Sequence, residues 1–146
     1  MAADFKNLSV AIIEDDAHAL ALLKGLLGKF GVTRTVEAAD GQQGYELVKK
    51  VRPLLVLCDV RMEPVGGIQF LEMLRADQDS SLAKTPVIFL TADLDQDTTV
   101  RARQLNVDAY LLKPPSLSAL KSRIDTVMMK ANARPTPIPS GPLFKR

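Results

Sequence analysis
The chain holds one cysteine, one histidine and no tryptophan in 146 residues. A single thiol excludes an internal disulfide and suits a reducing compartment. A single imidazole excludes a metal centre built from histidines. No apolar run is long enough to span a bilayer, and no such run follows a basic start, so neither a membrane span nor a signal peptide is read and a cytoplasmic location is expected. A large excess of one charge is missing as well. The net charge is +2, of which the last 15 residues supply +3 through Arg134, Lys145 and Arg146, so the rest sums to −1. A slightly acidic body offers no electrostatic footprint for nucleic acid.

What is present suits one compact domain. Apolar residues make up 47% of the chain and charged residues 25%, enough to bury a sizeable core and keep a soluble surface. Short apolar runs recur at Leu8–Ile13, Leu54–Cys58, Val87–Leu90 and Ala109–Leu112, with a more polar one at Val32–Ala38. Between them lie helical spacings. Leu20, Leu23, Leu27 and Phe30 share a face, with Asp16 as the expected N-cap and Gly31 as the stop. Gly44, Leu47, Val48 and Val51 repeat the pattern between Asp40 and Pro53. Ile68, Leu71 and Leu74 mark a third helix, Asp95–Leu105 a weakly amphipathic fourth, and Leu117, Leu120, Ile124 and Val127 a fifth opened by Ser116.

Five strand–helix units in succession predict an α/β fold, a doubly wound five-stranded parallel sheet with five helices on its two faces. Four strands read as continuous apolar runs buried on both faces. The second reads as half-exposed, which places it at a sheet edge in the flavodoxin-like order 2-1-3-4-5. The expected domain covers residues 6–131. Residues 132–146 hold Pro135, Pro137, Pro139 and Pro142, a composition read as an extended tail or linker.

In open α/β sheets, ligands bind beyond the carboxyl ends of the strands, at the switch in strand order. The first strand ends in Glu14-Asp15-Asp16, the third in Asp59, the fourth in Thr91 and the fifth in Lys113. Capping of the next helix accounts for Asp16 but less well for Glu14 and Asp15. Three carboxylates, Glu14, Asp15 and Asp59, repel one another unless one protonates or a cation joins them. A hard divalent cation such as Mg²⁺ resolves that conflict. With Lys113 and the Thr91 hydroxyl added, the rim is equipped to bind a phosphoryl group and neutralise its charge. Carboxylates also accept phosphoryl groups, and Asp59 stands between the acid pair and the lysine.

The set of Glu14-Asp15 after AII, Asp59 after LLVLC, Thr91-Ala92 after VIFL and Lys113-Pro114 after DAYLL resembles the receiver family of two-component signalling. The resemblance implies a response regulator, a phosphoacceptor switch rather than a turnover enzyme. A sensor histidine kinase or histidine phosphotransfer protein would donate to Asp59, and the output would be a downstream protein target, with no nucleic acid or membrane partner. It implies Mg²⁺ held by Glu14, Asp15, Asp59 and the backbone carbonyl of Arg61. Thr91 and Lys113 would hold phosphoryl oxygens, and Ala92 would leave room for them. Tyr110 would be a switch aromatic that turns inward as Thr91 moves, shifting the face formed by the fourth helix, fifth strand and fifth helix.

Several positions depart from the family pattern. Val60-Arg61-Met62-Glu63-Pro64 puts proline one position late, Gly66-Gly67 stands where Asp-Gly is frequent, and Pro115 follows Lys113-Pro114. Arg61 and Asp93 each lie two residues beyond a site residue, and their expected pairing across the entrance would restrict attacking water. Three other readings compete: a phosphorylation-independent interaction module, a receiver excised from a multidomain regulator, and a phosphatase. The last lacks the acid usual two residues after the nucleophile, where this chain has Arg61. Cys58 is read as core and His18 as solvent-facing.

Overall fold
The computed structural model describes residues 4–92 and 95–133. Five parallel strands, β1 (Ser9–Ile13), β2 (Arg34–Ala38), β3 (Leu55–Asp59), β4 (Val87–Thr91) and β5 (Ala109–Leu112), form one sheet in the order β2-β1-β3-β4-β5. The strand order is the one expected. Strand register pairs Ile13 with Cys58, Asp59 with Leu90 and Thr91 with Leu112. The carboxyl ends of β1, β3, β4 and β5 therefore finish level at one rim.

Alternation along each strand divides the core in two. Val10, Ile12, Leu55, Leu57, Ile88 and Leu90 face α1 (Ala17–Lys29) and α6 (Leu117–Ala133). Ala11, Ile13, Val56, Cys58, Val87 and Phe89 face α2 (Gly41–Val51), α3 (Gly67–Arg75) and α5 (Gln96–Gln104). Strands β3 and β4 are buried along their whole length, whereas β2 is half-exposed, as an edge strand must be.

The helix boundaries follow from local chemistry. Asp16 caps α1 by accepting the His18 amide at 2.9 Å. The helix ends in a Schellman arrangement, Val32 N to Leu27 O and Gly31 N to Gly28 O, both 3.0 Å, with Gly31 at φ 94°. Asp40 caps α2 through the Gln43 amide, and Ser116 caps α6 through the Ala119 amide at 3.1 Å. At the end of α2, Arg52 adopts φ 53° directly before Pro53.

Among the described residues the helices number six where five were expected. The addition is α4, a single turn over Ser80–Ala83 whose N-cap Asp79 accepts the Ser81 and Leu82 amides. One turn burying only Leu82 has no periodicity for a sequence reading to detect. A 3₁₀ turn at Phe5–Asn7 also precedes β1 and packs Phe5 against Phe30, ring centroids 5.3 Å apart. The proline-rich segment lies outside the described residues.

Candidate functional site
Because successive residues leave a strand in opposite directions, the acid pair after β1 divides its roles. Glu14 turns inward and is buried, while Asp15 is exposed. Asp59, the last residue of the central strand β3, is buried beside them. One carboxylate oxygen from each of Glu14, Asp15 and Asp59 lies within 4.8 Å of the other two. Lys113 reaches in from the end of β5. Its Nζ stands 2.7 Å from Glu14 Oε1 and 3.4 Å from Asp59 Oδ1. The other Glu14 oxygen accepts the Asp16 amide at 3.1 Å.

The electrostatics agree with this packing. Burial pushes the Glu14 carboxyl above its ordinary value, with Lys113 and the Asp16 amide pulling against it. Burial alone would weaken the Lys113 ammonium. The contact with Glu14 and the attraction of Asp59 outweigh that and hold Lys113 above its usual range, so it stays charged. Burial, followed by the neighbouring Asp59 and Glu14 charges, pushes the Cys58 thiol well up. It is therefore an inert core residue.

Thr91 is buried at the end of β4, and its carbonyl accepts the Lys113 amide at 2.7 Å. Ala92 follows it at the surface. Tyr110, on β5, meets Phe89 edge-on with centroids 5.9 Å apart and planes at 85°, and its hydroxyl oxygen is shielded from water. The aromatic thus sits inward while Lys113 rests on Glu14. Asp93 lies outside the described residues, so the pairing expected of it with Arg61 does too. Among the described residues, the Arg61 charge also acts on Asp95, the N-cap of α5. Thr98 chiefly holds the Asp95 carboxyl below its ordinary value, and the Arg61 charge adds to that effect.

Two features escaped the sequence reading. Lys113 is engaged by Glu14 as closely as by any acid of the site, which depends on Glu14 turning inward. A groove of about 440 Å³ also opens beside Lys113, lined by Asp16, His18, Ala19, Leu22, Pro114 and Pro115 among others. His18 and Leu22 are separated by one helical turn of α1, and the prolines come from the loop after β5. The joint wall exists only in the folded chain.

The donor set fits a hard divalent cation. It consists of three carboxylates at one rim, one of them exposed to water, with no sulfur or imidazole among them. No helix of the described residues is long and apolar enough to cross a membrane.

Comparison with known proteins places this geometry. The sequence profile of the response regulator receiver domain matches residues 10–125. Chemotaxis protein CheY-3 of Vibrio cholerae is 31% identical over 122 residues, covering 84% of this chain and 92% of that one. Transcriptional regulatory protein PdtaR of Mycobacterium tuberculosis is 35% identical over 121 residues, covering 83% of this chain and 57% of that one. Among solved structures, the signal receiver domain of a signal transduction histidine kinase from Syntrophus aciditrophicus superposes with a TM-score of 0.77 at 24% identity, covering 92% of this chain and 99% of that one. With the strand order, the rim of carboxylates and a match over most of its length, the chain belongs to the receiver domain family of two-component response regulators.

Proposed function
We propose that residues 6–131 act as a Mg²⁺-dependent phosphoacceptor switch in the cytoplasm, with Asp59 as the phosphorylated residue and residues 132–146 as a tail or linker. The observation that carries this reading is the convergence of Glu14, Asp15 and Asp59 within 4.8 Å, with Lys113 poised over two of them. Bound there by Glu14, Asp15, Asp59 and the Arg61 carbonyl, Mg²⁺ would neutralise phosphoryl charge.

The chain's own groups supply the rest. A carboxylate oxygen of Asp59 forms a bond to phosphorus while the P–N bond of a phosphohistidine donor breaks, the electron pair returning to the imidazole nitrogen. Lys113 and the Thr91 hydroxyl take up phosphoryl oxygens, and the small Ala92 side chain leaves space for them. The donor, a sensor histidine kinase or histidine phosphotransfer protein, would approach at the groove between α1 and the Pro114–Pro115 loop, which opens at Lys113. Movement of Thr91 toward the phosphoryl group biases Tyr110 and the face of α5, β5 and α6. A downstream protein reads that population shift.

The test is intact mass after incubation with acetyl phosphate, with and without Mg²⁺, beside Asp59→Asn. One added phosphoryl group that requires both Mg²⁺ and Asp59 supports the switch. No adduct, under conditions that label another receiver and with a kinase donor also tried, moves the reading to an interaction module that works without phosphorylation.

A further inference from the structure
We infer that Gly41, which carries no functional group, is a positioning residue for the phosphoacceptor site, acting through the loop between β3 and α3. The inference rests on the reading of Asp59 and its neighbouring acids as a Mg²⁺-dependent site, because residues 60–66 carry the Arg61 carbonyl assigned to the metal.

That loop is held between two glycines. On one side Gly67, the first residue of α3, donates its amide to Val60 O at 2.9 Å. A methyl on Gly67 would lie 2.5 Å from Asp59 O. On the other side Gly41, the first residue of α2, donates its amide to Val65 O at 2.7 Å. A methyl on Gly41 would lie 2.5 Å from Gly66 O, 2.8 Å from Val65 Cγ1 and 3.1 Å from Val65 O. Gly66 in turn donates to Gln69 Oε1 at 2.8 Å, and Met62 is buried in the core below. Gly41 lies in a helix, so glycine is required there for close approach and not for an unusual φ.

The atom nearest the added methyl is a backbone oxygen, and the loop cannot yield by turning a side chain. It must move as a unit, and the Arg61 carbonyl moves with it. The turn after edge strand β2 contributes nothing to the chemistry, yet it sets where the central loop stands. Outer supports of this kind govern metal affinity through the geometry of the ligands they hold.

Gly44 supplies the control. It lies one turn along the same helix, and the three atoms nearest a methyl there would all belong to the buried Ile13 side chain, Cδ1 at 2.4 Å, Cγ1 at 2.9 Å and Cγ2 at 3.1 Å, and none to the backbone of the loop. Both Gly41→Ala and Gly44→Ala crowd α2, but only the first presses on the loop. Mg²⁺ is titrated into the whole protein and followed by backbone amide shifts, and thermal midpoints are taken without metal. Both variants are expected to lower the midpoint. Gly41→Ala alone is expected to raise the Mg²⁺ dissociation constant by roughly tenfold, the low end of the effect of outer-shell supports, and to shift the amides of residues 60–66 in metal-free protein. A wild-type constant for Gly41→Ala, or equal weakening by Gly44→Ala, overturns the inference. Should Gly41→Ala not fold, amide exchange in the wild type decides. Coupling is reciprocal, so saturating Mg²⁺ must slow exchange of the Gly41 amide, and unchanged exchange overturns the inference. Wild-type protein that binds no Mg²⁺ instead overturns the reading of the site itself.

Discussion

Lys113 rests on Glu14, its Nζ 2.7 Å from Oε1, and stands 3.4 Å from Asp59 Oδ1. The lysine therefore does in this state what a divalent cation would do, offsetting the repulsion of carboxylates gathered at one rim. Two cations compete for the same acids. Lys113→Met removes one competitor, so Mg²⁺ affinity should rise even as phosphorylation by acetyl phosphate slows, by at least ~tenfold or about 1.4 kcal/mol of barrier. Mg²⁺ titrations of the thermal midpoint and the rate of mass increase read the two effects separately. Weaker Mg²⁺ binding in the variant would mean that Lys113 organises the acids and does not compete for them.

Arg61 tests a different part of the site. Its charge adds to the hydrogen bonds from Thr98 that hold the carboxyl of Asp95, the cap of α5, below its ordinary value. The proposal that it restricts water at the phosphoryl group predicts a shorter aspartyl-phosphate lifetime in Arg61→Ala. Decay of the phosphorylated mass in the absence of donor measures it. An unchanged lifetime would reduce Arg61 to a solvated charge of little consequence.

The fold, and the gathering of the candidate residues at one rim of the sheet, were legible because they depend on local signals. Apolar runs such as Val87–Leu90 are buried on both faces wherever the strand is central, and the caps at Asp16, Asp40 and Ser116 act within three residues of themselves. The same logic put Glu14, Asp59, Thr91 and Lys113 at strand ends. Illegible features were those created by contact between distant segments. Helix α4 is too short to have a period. The contact of Lys113 with Glu14 joins the ends of β5 and β1, strands that do not pair with each other. The approach of Gly41 to Val65 joins residues 24 positions apart, and a glycine opening a helix carries no sign of what presses against it.

Acid stability has an identifiable contributor away from the site. The Arg52 guanidinium, with help from Ser81 and the Leu82 amide, holds the Asp79 carboxyl down at about 2. An unfolded aspartate titrates near ~3.9. A carboxyl depressed on folding stabilises the native state above the unfolded value, and that contribution is lost as pH falls through the folded one. Wild-type protein should therefore lose stability between about pH 4 and pH 2 more steeply than Asp79→Asn, which keeps a capping side chain but has no charge to titrate. Urea midpoints across that range decide it. Parallel curves would show that Asp79 contributes nothing to the acid limb.

Arg75, at the end of α3, is expected to be the most costly single truncation outside the apolar core. Its Nε donates to Leu105 O at 3.1 Å. One terminal nitrogen donates to Ala83 O and Thr85 O, both at 2.8 Å, and the other to Asn106 O at 3.0 Å and Asp108 Oδ2 at 3.1 Å. The same Asp108 oxygen accepts the Val87 amide at 2.8 Å. One planar guanidinium thus ties the ends of α3, α4 and α5 to the starts of β4 and β5, and both members of the Arg75–Asp108 pair are largely shielded from water. Arg75→Leu leaves the Asp108 charge without its cation and several carbonyls without a donor, at a cost of about 3–5 kcal/mol. Arg75→Lys should recover only part of this, because a point charge cannot span a fork of acceptors. In urea denaturation the midpoint should fall with the slope unchanged, and amide exchange should accelerate in the last turn of α5 before its first. The second expectation matters for switching. If α5 is fastened at this end, motion driven from Thr91 is confined to the end near Asp95. A loss below ~1 kcal/mol, or equal exchange at both ends of α5, would show that the anchor does not hold the helix.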